Sequence, residues 1–290
     1  MIGIFGIVIT FAMVFGGYLA AGGHMAIILK ALPFELMIIG GAAVGAFVLG
    51  NDLPAVKATL RAVPIAFRGP RFARQDYTNL LCLLYALLRL GRQNPVALEE
   101  HIENPESSAI FQRYPRILGD HLTVELICDT LRSAAMNYDD PMQVEEVLDK
   151  RIERHLAHAL HPSHALQIMA DGLPALGIVA AVLGVIKTMG SIDQPPEILG
   201  KMIGGALVGT FLGVFLAYGF VGPLAVRLRA AIEQDQGFYT LIREVLVANL
   251  HQHPTNICIE VGRQNAPGGM RPDFAALEDA LRDLRREAVA

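Results

Sequence analysis

The chain has 290 residues, of which 53% are hydrophobic and 18% are charged, and its mean hydropathy is +0.41. This balance is more apolar than that of water-soluble domains and predicts a membrane protein. The 24 basic and 28 acidic side chains give a formal net charge of -4, which argues against binding of nucleic acid through an excess of positive charge.

Four stretches with few or no charged residues predict four transmembrane helices, because a helix needs about 20 apolar residues to cross a bilayer. They are residues 1–29, 33–51, 166–189 and 202–226. Glu35 interrupts the second stretch, and we place it at the outer edge of that span. A cleaved signal peptide is the alternative for the first stretch, but no Lys or Arg precedes its apolar residues.

The distribution of Lys and Arg around the spans predicts the topology. One side has nine: Lys57, Arg61, Arg68, Arg71, Lys150, Arg151, Arg154, Arg227 and Arg229. The other side has only Lys30, Lys187 and Lys201. We therefore expect transmembrane segments at 1–51 and 166–226, a cytoplasmic loop at 52–165 and a cytoplasmic tail at 227–290. Both chain termini are then cytoplasmic.

The cytoplasmic segments carry the apolar spacing of amphipathic helices, so the predicted fold class is all-α. The first helix, over residues 76–91, places five leucines on one face: Leu80, Leu83, Leu84, Leu87 and Leu88. A second helix is predicted over 120–136. A third begins after the N-cap Asp140 and ends before Pro162. A last helix, over 272–284, is expected to bury Phe274, Leu277, Leu281 and Leu284.

Small residues recur every fourth position in the spans, which lets helix backbones approach closely. The longest such stripe comprises Gly205, Gly209, Gly213 and Ala217. Packing within one chain or assembly of several copies would each explain it.

Few polar groups could line a pathway through the bilayer. Thr210 and Tyr218 lie in the fourth span, and Asp171 lies at the inner end of the third. Pro174 and Pro223, near the cytoplasmic ends of the spans, are either hinges or helix-end prolines without a role. Since we place no ionisable group near the bilayer centre, an ion pathway would need a carboxylate from a partner.

Catalytic and metal-binding motifs are missing from the sequence. There is no G-x-S-x-G nucleophile motif and no P-loop, and only five serines occur. Cys82, Cys128 and Cys258 are far apart and form no C-x-x-C pair, which predicts buried reduced thiols. We therefore expect neither an enzyme nor a bound cofactor or metal.

Three segments carry a resemblance to a known family. They are LPALGIVAAVLG at 173–184, VGTFLGVFLAYG at 208–219, and IENP at 102–105 followed by YPRIL at 114–118. Together they closely resemble the stator subunits of the bacterial flagellar motor, in the MotA/TolQ/ExbB proton-channel family. The likeness extends over nearly the whole chain and fits the predicted topology.

The resemblance implies an inner-membrane protein that forms a pentameric ring around two copies of MotB. MotB would supply the membrane aspartate and a cell-wall anchor, and the cytoplasmic loop would push on the rotor protein FliG. A TolQ-like or ExbB-like energy transducer is the nearest alternative, but those proteins have three spans and a shorter chain. The second alternative is a passive membrane scaffold.

The resemblance also implies roles for individual residues. Pro174 and Pro223 match prolines involved in gating, and Arg92 and Glu99 match a charged pair that meets FliG. Between these two the segment is one residue shorter than in relatives and contains Asn94–Pro95. Thr210 and Ala181 match positions that influence ion choice, where Ala181 favours protons over sodium.

A histidine series, His155, His158, His161 and His164, departs from the more acidic residues of relatives. A solvated helix end is the simplest interpretation, because Pro162 is expected to break the helix. The alternative hypothesis is that these imidazoles make torque or assembly sensitive to pH between about 5 and 7.

Overall fold

The computed structural model describes residues 2–136 and 138–287, and every regular element in them is helical. The α-helices, in chain order, are α1 (Ile2–Ala20), α2 (Met25–Gly50), α3 (Leu53–Arg68), α4 (Arg74–Gln93), α5 (Pro95–Glu103), α6 (Ala109–Gln112), α7 (Pro115–Leu118), α8 (His121–Ala135), α9 (Pro141–Met189), α10 (Pro196–Leu216), α11 (Gly222–Leu250), α12 (Thr255–Asn265) and α13 (Phe274–Glu287). A π-helical segment, Ala217–Val221, joins α10 to α11. The all-α prediction is confirmed.

The chain divides into two compact units. The first, called the membrane unit here, comprises the described residues up to Gly69 together with Ala159–Ala231. The second, called the helical unit, comprises Pro70–His158 and the residues from Ile232 onward. Four helical stretches are long and apolar enough to cross a membrane, within α1, α2, α9 and the α10–α11 segment, as predicted.

The turn between the first two spans lies earlier than predicted. Helix α1 ends at Ala20 and α2 begins at Met25, so the expected boundary near residues 29–33 was wrong. Gly22 has a φ of +82°, which glycine adopts without steric cost, and its N–H donates to the Leu19 carbonyl at 3.0 Å. Because α2 begins eight residues before Pro33, that proline lies inside the helix.

The expectation that a helix ends before Pro162 was also wrong. Helix α9 starts at Pro141, where the Asp140 carboxylate accepts a bond from the Gln143 N–H at 2.9 Å, and continues to Met189. Pro162 removes one N–H donor from the helix interior. The following residue, Ser163, donates its hydroxyl to the Leu160 carbonyl at 2.7 Å.

Helices α9 and α10 approach each other at small residues. A Cβ added to Gly213 would lie 2.7 Å from the Gly177 Cα and 2.7 Å from the Leu173 carbonyl oxygen. A Cβ added to Gly184 would lie 2.6 Å from the Ala206 Cβ. Part of the predicted small-residue stripe therefore serves packing within one chain.

Aromatic side chains attach α1 to α10 in the same unit. Phe11 meets Phe215 edge to face at a centroid distance of 5.0 Å, and Phe15 meets Phe215 at 5.5 Å. Such edge contacts align the positive ring edge with a negative ring face. They fix α1 on the outside of the α9–α10 pair.

The helical unit is organised around the leucine face of α4. All five predicted leucines are buried, which confirms the predicted helix. Phe238 of α11 stacks on Phe72 with a centroid distance of 3.8 Å. At the other end of the chain Leu277 and Leu281 of α13 are buried, but Phe274 is 60% exposed beneath the Arg263 guanidinium, so its predicted burial was wrong.

The three cysteines are free and buried, as predicted. Burial raises the pKa of the Cys82 thiol to about 11 and that of the Cys128 thiol to about 12. Both sulfurs are therefore neutral core atoms at physiological pH.

Gly213→Ala should destabilise the protein by about 1–3 kcal/mol. The new methyl group would collide with backbone atoms of α9, which cannot rotate out of the way as a side chain can. The measurement is thermal unfolding of the detergent-solubilised protein, followed by circular dichroism. Gly200→Ala is the matched control on the same helix, because a Cβ there meets nothing within 4 Å. Equal unfolding midpoints for the two variants would contradict the close approach.

Candidate functional site

Helices α2, α9 and α10 converge at one point in the membrane unit. A Cβ added to Gly209 would lie 2.6 Å from the Glu35 Oε2 atom, 3.1 Å from the Ala180 Cβ and 3.1 Å from the Ala181 nitrogen. Thr210 follows Gly209 in the chain. The structure therefore places Ala181 and Gly209, the residue before Thr210, next to a carboxylate.

The position of Glu35 differs from the one expected. It was expected at the outer edge of the second span, but α2 begins ten residues before it. Glu35 is 7% exposed and lies on the buried face of α2 together with Ile39 and Ala43. Glu35 is therefore a buried ionisable group well inside α2 and not at its end. The sequence does show the four-residue spacing of Glu35, Ile39 and Ala43. Because the span was predicted to begin at Pro33, Glu35 was assigned to its edge and not to its buried face.

The Glu35 carboxylate borders a cavity of about 370 Å³ within the membrane unit. Ala180 and Lys187 of α9 and Gly205 of α10 contribute to the other walls. The Oε2 atom is buried and has no hydrogen-bond partner among the described residues. Buried carboxylates are normally paired, so an unpaired one inside a membrane unit identifies a candidate functional group.

The π-helical segment lies where Tyr218 and Pro223 had been predicted to act. The Gly222 N–H donates to the carbonyl of Ala217, five residues back, instead of four. Pro223 follows directly, and because its ring would collide with a carbonyl four residues earlier, the wider turn relieves that clash. Tyr218 is 71% exposed within this segment.

Pro174 and Asp171 lie further along α9. Pro174 is inside the continuous helix, one residue after the Leu173 carbonyl that packs on Gly213. Asp171 is exposed and accepts a bond from the Gln167 side chain at 2.9 Å. Its ten-residue separation from Ala181 corresponds to about 15 Å along the helix, so Asp171 lies apart from the Glu35 cluster.

The second predicted pair, Arg92 and Glu99, lies on the surface of the helical unit. Both side chains are exposed, at the end of α4 and in the middle of α5. The Asn94 side chain caps α5 by accepting from the Ala97 N–H at 3.2 Å. Leu98 packs against Gly91, so this capped turn fixes α5 beside the end of α4.

Arg92 and Glu99 differ in their contacts. The Arg92 guanidinium donates to the Asn249 Oδ1 atom at 3.0 Å and to the His253 carbonyl. Within residues 2–136 and 138–287, Glu99 has no hydrogen-bond or ion-pair partner. Arg92 is thus held in place while Glu99 is available to a binding partner.

A buried polar network in the helical unit was not foreseen from the sequence. Asp235 accepts hydrogen bonds from the backbone N–H groups of Arg71 at 2.8 Å and Phe72 at 3.3 Å. Asp120 pairs with the Arg71 guanidinium at 3.1 Å and accepts from the Tyr239 hydroxyl at 3.4 Å. Residues 71 to 239 are far apart in sequence, so no local spacing could indicate this network.

His155, in the part of α9 that precedes the apolar stretch 166–189, packs on this network. Its ring lies 5.3 Å from the Tyr239 ring. Loss of solvent lowers the pKa of His155, the positive charges of Arg71 and His158 lower it further, and Asp120 opposes them. His155 therefore differs from the rest of the predicted histidine series in having a specific aromatic contact.

Comparisons with known proteins agree with this architecture. Residues 4–95 match the motility protein A N-terminal profile, and residues 120–238 match that of the MotA/TolQ/ExbB proton channel family. Motility protein A of Salmonella typhimurium and that of Escherichia coli are each 40% identical over 98% of this chain and 96% of their own. A solved structure titled as C. jejuni MotAB has a TM-score of 0.72 at 17% identity, covering 91% of this chain and 95% of that one.

The fold and the profile matches define a multi-pass membrane protein of the proton-channel class. Within that class the chain belongs to the motility protein A family. The resemblance inferred from sequence motifs is confirmed.

Acidification should destabilise the helical unit through His155. Its folded pKa is below the unfolded value of 6.5, so the unfolded chain binds more protons and stability falls as pH decreases below 6.5. We expect the loss of melting temperature between pH 7.5 and 5.5 to be smaller in His155→Gln than in the wild type. His164→Gln is the control, because no aromatic ring contacts His164 in the described part of the chain, and equal losses in both variants would contradict the assignment.

Proposed function

We propose that the chain is a stator subunit of the bacterial flagellar motor, forming with MotB a proton channel whose flux drives torque on the rotor. The observation that carries this proposal is the 40% identity to proteins named motility protein A along 98% of the chain. The four apolar helices and the likeness to a structure titled MotAB support it.

In this proposal several copies, five in a ring, surround two MotB chains in the inner membrane. MotB supplies the membrane aspartate and the anchor to the cell wall. The excess of Lys and Arg beside the spans supports cytoplasmic chain termini and a cytoplasmic helical unit. Each proton that crosses provides about 2.3 kcal/mol per 100 mV of membrane potential, so successive protons drive successive steps.

The residues of the membrane unit take separate roles. Ala181 and Thr210 are the positions that influence ion choice, and Ala181 favours protons; the place of Ala181 beside Gly209, the residue before Thr210, supports a common location for the two. Pro174 and Pro223 act as gating positions, and the π-helical turn before Pro223 supports a hinge there. Tyr218 and Asp171 belong to the inner end of the pathway, consistent with their exposure in a single chain.

The helical unit contacts the rotor. Arg92 and Glu99 would pair with charges on FliG, and the capped turn between α4 and α5 holds them on one exposed surface. Because Glu99 is without a partner in the described part of the chain, pairing with an external cation requires no contact to be broken.

Deletion of the gene in its host should give cells that assemble normal filaments but do not rotate them, and a plasmid copy should restore swimming. Pro174→Leu should be present in the membrane at wild-type level and fail to restore rotation, because gating requires the proline. Rotation by Pro174→Leu would favour a passive scaffold. Swimming of the deletion strain together with a defect in outer-membrane integrity would favour a TolQ-like or ExbB-like transducer.

Arg92→Glu should strongly reduce torque, and a compensating charge reversal in FliG should recover part of it. Arg92 also has two internal hydrogen bonds, so Asn249→Ala is the matched control: it removes one of them and leaves the charge and the bond to the His253 carbonyl. We expect near wild-type swimming speed for Asn249→Ala. An equal loss in both variants would indicate that Arg92 acts only by holding α4 to the end of α11.

A further inference from the structure

Glu35 is a carboxylate that the proposed mechanism, as outlined above, does not use. It faces into the membrane unit from α2, which packs against α10. Its side chain is more than nine-tenths buried, with 7% exposure, and its Oε2 atom lacks a hydrogen-bond partner in residues 2–136 and 138–287. An apolar residue would fill this place at lower free-energy cost.

The surroundings of Glu35 give its Oε2 atom no hydrogen-bond partner in the described part of the chain. Lys187 is the one other charged residue that lines the same cavity, and no ion pair joins it to Glu35 in the described chain. Thr188 also lines the cavity, but its hydroxyl donates to the Gly184 carbonyl at 2.9 Å. Gly205 and Gly209 offer no side chain, so the carboxyl group has space for a proton or a water molecule and no fixed partner.

The position of Glu35 along the spans fits the outer half of a pathway. Ten residues separate it from Met25, the first residue of α2, which is about 15 Å of helix. Lys187, near the outer end of α9, borders the same cavity. On the other side the carboxylate reaches Gly209, next to Thr210 and opposite Ala181. Glu35 thus borders a cavity that reaches Lys187 on one side and contacts the Gly209 backbone, beside Ala181, on the other.

We propose that Glu35 is a second proton-binding carboxylate on the ion pathway, which takes up a proton from the outer side and passes it to the aspartate of MotB. This proposal rests on the proposed stator function. A hydronium ion gives its proton to the Glu35 carboxylate and leaves as water. The resulting carboxylic acid then releases the proton to the partner carboxylate and returns to its ionised form, so charge and atoms balance.

The test compares proton flux through the complex of this chain with MotB, reconstituted in vesicles that contain a pH-sensitive dye. Glu35→Gln keeps the size of the side chain and cannot carry a proton, and we expect at least a tenfold loss of flux. Glu35→Asp keeps a carboxyl group and should retain much more flux than Glu35→Gln. The control is Glu197→Gln, an 81% exposed glutamate at the start of α10 that pairs only with Lys201.

Flux in Glu35→Gln within twofold of the wild type would overturn the proposal. As long as the wild-type complex itself conducts protons and supports rotation, that result would leave the stator function standing. Absence of flux and rotation in the wild type would instead refute the stator function itself. If Glu35→Gln fails to assemble, infrared difference spectra of the wild-type and Glu35→Asp complexes between acidic and alkaline pH decide the question. A carboxylic acid C=O band that shifts between the two supports proton binding at position 35, and a band that does not shift overturns it.

Discussion

The close approach of α9 and α10 is the constraint on which the membrane unit depends. At Gly177 and Gly213 the two backbones are separated by less space than one methyl group requires. Lipid provides little hydrophobic drive for helix association, so dispersion contacts at such small residues are what hold the pair together. The same approach sets Ala181 beside Gly209 and leaves the gap into which the Glu35 carboxylate reaches.

The helical unit differs from the membrane unit in that it buries charged side chains as well as leucines, and these charged groups need hydrogen-bond partners. Asp235 and Asp120 are almost fully buried. Asp235 accepts hydrogen bonds from the segment that begins at Arg71, and Asp120 accepts them from the start of its own helix, α8. The hydrogen bonds offset part of the free-energy cost of removing these carboxylates from water, and they fix a unique arrangement. Glu35 in the membrane unit lacks such partners, and this contrast separates a structural carboxylate from a functional candidate.

Prolines and glycines were the residues whose local interpretation most often failed. Pro162 and Pro33 were expected to limit helices, but both lie inside them. Gly22, one of many glycines near the start of the chain, was the one that formed a turn. Local propensity is weaker than the tertiary packing and the membrane environment that keep these helices continuous.

Composition and periodicity alone determined that the chain is an all-helical membrane protein with four spans, and the leucine spacing of α4 correctly identified its buried face. These properties follow from local rules, since bilayer thickness sets span length and helical pitch sets the apolar stripe. Only the tertiary structure decided which carboxylate enters the membrane unit, what holds Arg92, and which aspartates stabilise the helical unit. Those contacts join residues such as Glu35 and Gly209, and their distances depend on helix packing that no short stretch of sequence encodes.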